Sequence, residues 1–150
     1  MSDMLAGVFL FVRIALFAAI VPLLTRLPLR RLEVLVEPAH PNAEMDVARA
    51  QRIIRHTEFV CRAGRRLIAR LCLTRGLTLF YFLRRAGVNA SLVFGAGTVH
   101  DVFAGHCWLV FDGHPYLEKV DPRSLFTPFY VFNGSGTKRV DGSQMGEACG

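Results

Sequence analysis

The chain has 150 residues, 52% of them hydrophobic, and a formal net charge of +6 at pH 7. This length suits a single domain that buries about 70% of the surface its unfolded chain exposes, and the composition argues against intrinsic disorder. The four cysteines, Cys61, Cys72, Cys107 and Cys149, form no CxxC pair and no dense framework. We therefore expect reduced thiols in a cytosolic protein rather than the disulfides of a small secreted domain.

The first predicted element is a nearly unbroken apolar stretch from Met4 to Leu24. A helix that crosses a bilayer needs roughly 20 such residues. Arg13 at the centre of the stretch and Pro22 in its last turn argue against a simple span, because insertion scales penalise a central arginine by roughly 2.5–3.5 kcal/mol. The first three residues carry no positive charge, so a secretory signal is not expected either.

Residues 1–35 are therefore interpreted as an apolar N-terminal helix with two alternative roles. The helix either packs on this domain or on a partner, or it associates with a membrane. Arg26, Arg30 and Arg31 follow the apolar stretch directly. Under the positive-inside rule these arginines would keep the rest of the chain in the cytoplasm, at the inner face of the membrane.

Residues 36–42 contain two prolines and predict a connector to a domain over residues 43–133. At the start of this domain, apolar residues recur at three- and four-residue steps. This spacing predicts an amphipathic helix from Glu44 to about Val60, with a break at Gly64.

The middle of the chain is strongly basic, with ten arginines and one acid, Glu58, between Arg49 and Arg85. Such a block can bind a phosphate backbone or an acidic peptide. We favour a solvated helix face, because the arginines recur at helical spacing without exposed aromatic residues between them or a known nucleic-acid motif. No nucleic-acid partner is therefore expected.

The next predicted helix opens at Cys72 and continues over Leu73–Ala86, with apolar residues around most of its circumference. Arg84 and Arg85 fall in its last turn, where cations interact favourably with the helix dipole. Gly87 can adopt the left-handed conformation that commonly ends a helix.

The second half of the chain has the pattern of short strands and turns. We predict strands at Val88–Phe94, Ala104–Phe111, Pro115–Val120 and Phe126–Phe132, a mobile loop that starts with Gly95–Thr98, and a hairpin turn at Asp112–Gly113. Residues 134–150 are polar and glycine-rich, which predicts a flexible tail. Helices followed by an antiparallel sheet define an α+β fold.

Cys72 and His106 are the residues best suited to act as nucleophile and base. A cysteine reacts as its thiolate, which a helix N-terminus, a nearby cation or a histidine stabilises. Cys72 begins a predicted helix, and Arg75 follows one turn later. His106 lies in a predicted strand after Gly105, whose lack of a side chain leaves room for close approach.

A third group must orient the histidine, and three acids near the hairpin are candidates: Glu118, Asp121 and Asp112. Asp112 is better explained by the turn itself, since Asp-Gly suits a type I′ turn. A three-residue hairpin loop would put Glu118 on the same face as His106, whereas a two-residue loop would put it on the opposite face.

These residues also have inert interpretations. A cysteine on a buried helix is usually a small hydrophobic residue, and a histidine in a strand is usually a hydrogen-bonded core group. A metal site formed by Cys107, His106, His100 and His114 is a less favoured alternative, because adjacent strand residues point to opposite faces. We therefore expect neither a metal nor another cofactor.

Two blocks of sequence resemble a known enzyme family. The runs Cys72–Leu79 (CLTRGLTL) and Leu83–Gly95 (LRRAGVNASLVFG) resemble the nucleophile helix and following strand of the transglutaminase-like, papain-like leader peptidases of lasso-peptide biosynthesis. Gly105–Gly113 (GHCWLVFDG) resembles the His-Ala-Trp-Val strand and Asp-Gly turn of that family. The resemblance covers roughly residues 44–120.

The resemblance implies a cysteine peptidase that removes the leader from a ribosomally made precursor peptide, together with a leader-binding protein and an ATP-dependent cyclase. Cys72 and His106 match the nucleophile and base of the family. Glu118 stands where the family has Asp, and Cys107 where it usually has Ala. An acyltransferase and a non-catalytic, membrane-associated peptide-binding module stay open, because a fold alone does not fix an activity.

Overall fold

The structure is a computed structural model that describes residues 2–37, 44–66, 71–133 and 138–139. The chain divides into two compact units, Met1–Val88 and Asn89–Gly150. Helices in the first unit precede strands in the second, which confirms the predicted α+β order. The helices are α1 (Ser2–Leu24), α2 (Leu29–Val36), α3 (Val47–Ala63) and α4 (Leu71–Arg85), and the strands are β1 (Ala90–Val99), β2 (Val102–Phe111), β3 (His114–Tyr116), β4 (Thr127–Phe132) and β5 (Lys138–Arg139).

Helix α1 is the central apolar element of the first unit. Leu10, Ile14, Ala18 and Val21 recur at three- and four-residue steps and are at most 8% exposed. This buried stripe faces α3 and α4, against which α1 packs. Because a stripe at this spacing lies on one side of a helix, the packing uses only part of the circumference of α1.

The ends of α3 and α4 follow the capping chemistry of their sequences. The Asp46 side chain accepts a hydrogen bond from the Arg49 backbone N–H at 2.9 Å, so α3 begins at Val47, three residues later than predicted. Gly64 ends α3 as its C-cap. Gly87 has a φ of 81°, which confirms the left-handed residue predicted after α4.

Helix α2 was not predicted from the sequence, which assigned residues 1–35 to one apolar helix. It begins after Pro28 and buries Leu32 and Val36. Arg85 at the end of α4 holds it, since Arg85 Nη1 donates a hydrogen bond to the Val36 carbonyl oxygen at 2.9 Å. An amphipathic pattern and this tertiary contact together stabilise a helix of only eight residues.

The sheet of the second unit has the strand order β3-β2-β1-β4-β5, and every neighbouring pair is antiparallel. Strand β1 lies at the centre and pairs along its whole length with β2. The mobile loop predicted to start at Gly95–Thr98 is wrong, because these residues continue β1. Small residues here are compatible with a strand since neighbouring groups fill the space above them.

The hairpin loop is one residue shorter than predicted. A return strand that began at Pro115 would have left three residues in the loop after Phe111. Phe111 pairs with His114, so the loop contains only Asp112 and Gly113. Their φ values of 53° and 76° identify the predicted type I′ turn. The predicted return strand Pro115–Val120 is wrong in length, because β3 ends at Tyr116.

The predicted connector and tail fall mostly outside the described residues. Of residues 36–42, only Val36 and Glu37 are described, and of residues 134–150 only Lys138 and Arg139 are. These last two form β5 and pair with Val131 and Tyr130 of β4, a strand that the sequence did not predict.

Candidate active site

Cys72 is the second residue of α4, in the first unit. Its side chain is half-buried, and its sulfur is not part of a disulfide bond. The first turn of a helix leaves backbone N–H groups without intrahelical acceptors, and the helix dipole adds positive potential there. Both effects favour a thiolate over a thiol, so this position suits a nucleophile.

Arg75, the cation predicted to assist Cys72, is already engaged. Its Nε donates to Glu58 Oε1 at 2.7 Å, and the two side chains are 23% and 39% exposed. This ion pair joins α4 to α3 one turn after Cys72. The positive charge of Arg75 is therefore partly balanced by Glu58. The sequence had suggested that this charge would act on the Cys72 thiolate alone.

The other described cysteines are poorer nucleophiles. Cys61 of α3 is buried, and burial raises the pKa of its thiol; Glu58 raises this pKa further, while Arg75 opposes the shift. Cys107 of β2 is buried in the second unit. Cys149 lies outside the described residues.

His106 lies in β2 of the second unit, and its imidazole lies close to two aromatic rings. The Trp108 ring centroid lies 6.0 Å from that of His106 at an interplanar angle of 19°, and the Phe126 centroid lies at 5.2 Å. Trp108 shares the face of His106 because side chains two residues apart in a strand point the same way. Both aromatic side chains therefore pack near the imidazole.

Gly95, opposite His106 in the sheet, makes this arrangement possible. A Cβ at Gly95 would lie 2.7 Å from two ring atoms of Trp108 and 3.1 Å from the Phe126 Cβ. Gly105, which the sequence suggested would allow close approach, has open space instead, since its Cβ would meet only the Gly95 carbonyl oxygen at 3.9 Å. Sterically, a glycine is therefore required at Gly95 of β1 and not at Gly105 of β2.

Glu118 is the acid that reaches His106. Glu118 Oε2 lies 3.4 Å from His106 Nε2, a long hydrogen bond, and the side chains are 15% and 25% exposed respectively. With the proton on Nε2, the imidazole donates to the carboxylate, and Nδ1 is the nitrogen that can accept a proton. The structure therefore brings together two of the three predicted site residues.

Leu117 explains how Glu118 reaches this face despite the two-residue turn. The pairing of Leu109 with Tyr116, if continued, would set Glu118 opposite Cys107 and away from His106. Leu117 instead has a φ of 63°, a left-handed conformation that is unfavourable for leucine. This single residue ends β3 and reverses the face on which the next side chain lies.

The two other candidate acids have different roles. Asp121 is exposed and accepts hydrogen bonds from Arg123, including one from Arg123 Nη2 at 2.6 Å; these bonds lower the pKa of the Asp121 carboxyl group. Asp112 is exposed in the type I′ turn. Their contacts support Glu118 as the orienting acid.

Within the described residues, no group of three or more His, Cys, Asp or Glu side chains could hold a metal ion.

Gly95, Leu117 and Phe126 were not predicted as site residues from the sequence. They position the His106–Glu118 pair without supplying chemistry. The Trp108–Gly95 cross-strand contact could have been found only with the correct register. Cys72 belongs to the other unit, and its approach to His106 stays a prediction.

The family model of the transglutaminase-like superfamily matches residues 13–131. The chain belongs to the transglutaminase-like superfamily. No curated protein and no solved structure matches the chain. Transglutaminase-like domains are usually catalytic, as cysteine peptidases or acyltransferases, and this general class is supported for the chain.

Proposed function

We propose that this transglutaminase-like protein is a cysteine peptidase that removes the leader from a ribosomally synthesised, lasso-type precursor peptide. The observation that carries the proposal is the His106–Glu118 pair, with 3.4 Å between Nε2 and Oε2. A carboxylate in this position fixes the tautomer of an imidazole that acts as a base. Leu117, which precedes this acid, has a backbone angle that is unfavourable for leucine, and strain of this kind is concentrated at functional sites.

In the proposed reaction the Cys72 thiolate attacks the carbonyl carbon of the scissile amide. The imidazolium of His106 gives its proton to the departing amine, which leaves a thioester on Cys72. Water, deprotonated by His106, then attacks the thioester and releases the carboxylic acid and the free thiol. Glu118 orients His106 and stabilises its charged form, and the Cys72 backbone N–H is a donor for the oxyanion.

The substrate class rests on the resemblance of residues 72–95 and 105–113 to the lasso-peptide leader peptidases. It predicts that the chain works in the cytoplasm beside a leader-binding protein and an ATP-dependent cyclase. A short precursor gene and a cyclase gene next to the gene for this chain would support this assignment. Without them, a hydrolase of another peptide or amide would be the better description.

The experiment combines the purified full chain, the adjacent precursor peptide and its leader-binding protein, with cleavage followed by mass spectrometry. We expect release of an intact leader, and we expect Cys72→Ala to abolish it. Cys107→Ala is the matched control, because it removes a described thiol and introduces the residue that the related peptidases usually carry. It should retain cleavage.

Two outcomes would contradict the proposal. Unchanged maturation by Cys72→Ala would mean that the chain binds peptides without catalysing their cleavage. The second outcome is seen when a primary amine is added to the reaction. An acyltransferase would form the amide of that amine in preference to the free acid, whereas a hydrolase would release the free acid.

A further inference from the structure

Helix α1 has a second apolar face, opposite the one that packs on α3 and α4. Eight large apolar side chains on α1 are between 46% and 69% exposed: Met4, Leu5, Val8, Phe9, Val12, Leu16, Ile20 and Leu23. At about 100° per residue, they centre on the side of the helix away from Ile14 and its buried stripe. An exposed apolar surface of this length marks a binding surface in a soluble protein.

Cations flank this exposed face on both sides. On one side, a groove of about 590 Å³ between α1 and α3 is lined by Met4 and Val8 of the exposed face and by Arg52 and Arg55 of α3. On the other side lies the exposed Arg13, about 100° around the helix from Val12 and about 60° from Leu16. The sequence contains no Asp or Glu from residue 4 to residue 32. An apolar strip between guanidinium groups complements a surface of acyl chains and anionic phosphates.

The same packing argues against a helix that crosses the bilayer. Met4–Leu24 is long and apolar enough to span, by length and composition. However, its other face packs on α3, where Arg49 and Arg55 are exposed, and these charges could not follow α1 into the hydrocarbon core. Separation of α1 from α3 and α4 would also expose the buried stripe. A helix that lies in the plane of the membrane interface keeps its buried stripe packed on α3 and α4, while its exposed face contacts lipid.

We propose that α1 docks on an anionic bilayer surface with its axis parallel to the membrane. The exposed face enters the boundary between headgroups and acyl chains, to a depth of about 5–10 Å. Arg13 of α1 and Arg52 and Arg55 of the neighbouring α3 extend to the lipid phosphates while their stems cover apolar surface. Each arginine near such a surface strengthens binding by about fivefold.

The first test is co-sedimentation of the full-length protein with sealed vesicles of phosphatidylcholine, alone or with about 30% phosphatidylglycerol. We expect at least about tenfold tighter binding to the anionic vesicles, weakened by added salt. Leu16→Glu should lower this binding by about tenfold or more, since it puts a charge on the apolar face. Phe103→Glu is the matched control; it changes a 79% exposed side chain of β2 in the second unit and should bind as wild type.

The charge contribution has its own variant. Arg52→Gln combined with Arg55→Gln should weaken binding to anionic vesicles by about tenfold or more and leave binding to neutral vesicles unchanged. Cys72→Ala should bind as wild type, so that failure of the peptidase proposal and failure of membrane docking can be told apart. Equal binding of wild type to neutral and anionic vesicles, or wild-type binding by Leu16→Glu, would overturn the proposal.

Depth measurements separate docking in the plane from a span. Leu5→Trp, Val12→Trp and Leu23→Trp place a fluorophore at the two ends and the middle of the exposed face, to be compared with the native Trp108 background. Equal quenching of all three by a shallow lipid-borne quencher is expected. Quenching of the Val12→Trp variant by a deep quencher alone would mean a span. A dimer without vesicles that Leu16→Glu dissociates, with no vesicle binding, would mean that a second copy covers the face.

Discussion

His106 Nε2 and Glu118 Oε2 lie 3.4 Å apart, although the register of the β2–β3 hairpin directs Glu118 to the other face of the sheet. The contact depends on the left-handed backbone conformation of Leu117, the residue directly before Glu118. A carboxylate at this position holds the proton on Nε2, so that Nδ1 can act as the base.

Replacement of Glu118 should lower catalysis without loss of the fold. Glu118→Gln keeps the size of the side chain but removes the charge that stabilises the imidazolium. We expect kcat for precursor cleavage to fall by roughly 10²–10⁴-fold, with little change in KM. Asp121→Asn is the control, because Asp121 is bound to Arg123, and its activity should match wild type. Full activity of Glu118→Gln would remove Glu118 from the mechanism.

Leu117 should tolerate glycine but not proline. Glycine adopts a positive φ without steric penalty, so Leu117→Gly should retain cleavage. Proline fixes φ near −65° and should return Glu118 to the opposite face, which would lower kcat about as much as Glu118→Gln does. Cleavage assays, with circular dichroism to verify folding, distinguish the two. Equal activity of both variants would show that the backbone angle of Leu117 does not position the acid.

Gly95 and Gly105 should respond differently to the same substitution. A Cβ on Gly95 would lie 2.7 Å from the Trp108 ring, whereas on Gly105 its nearest neighbour would be 3.9 Å away. Gly95→Ala should therefore destabilise the protein by about 1–3 kcal/mol, and Gly105→Ala by less than about 0.5 kcal/mol. Urea unfolding measures both. Similar midpoints for the two variants would contradict the close contact between β1 and the indole.

The two faces of α1 should contribute unequally to stability. Ile14 is 0% exposed and Leu16 is 60% exposed, on the same helix two residues apart. We expect Ile14→Ala to lower the free energy of unfolding by about 2–5 kcal/mol and Leu16→Ala by about 0.5 kcal/mol or less. Chemical denaturation in the absence of lipid is the measurement. A large loss for Leu16→Ala would mean that its face is covered in solution.

The described thiols should react with an alkylating reagent in a set order. Cys72 is half-buried at a helix N-terminus, whereas Cys61 and Cys107 are buried. Because burial raises the pKa of Cys61, its thiolate fraction at pH 7–8 is below that of an ordinary thiol, and its reaction should accelerate only at higher pH. Peptide mapping after iodoacetamide treatment should show Cys72 modified first. Preferential modification of Cys61 would argue against Cys72 as the nucleophile.

Local chemistry made part of the fold predictable from the sequence. Asp112–Gly113 and Gly87 need positive φ angles that few other residues adopt, and both were predicted where they occur. The start of α4 close to Cys72 followed from the apolar pattern after it. These features depend on neighbours within a few residues, which is the range that a sequence pattern reports.

Features that depend on distant contacts were not predictable in the same way. The run Gly95–Thr98 has the composition of a loop, but it continues as a strand because it pairs with β2 and, in part, with β4. Leu117 has no intrinsic tendency to a left-handed angle, so neither the early end of β3 nor the path of Glu118 could be deduced. Correct loop length alone would have assigned Glu118 to the wrong face.

The two apolar faces of α1 also affect how the protein is made. Helix α1 is made before the helices that cover it, and about sixty residues separate its end from that of α4, which helps to cover its buried stripe. At about 5–20 residues per second, the nascent helix is exposed on all sides for several seconds. During translation α1 therefore presents an apolar surface on every side, and only the completion of α4, which carries Cys72, reduces that surface to the exposed face.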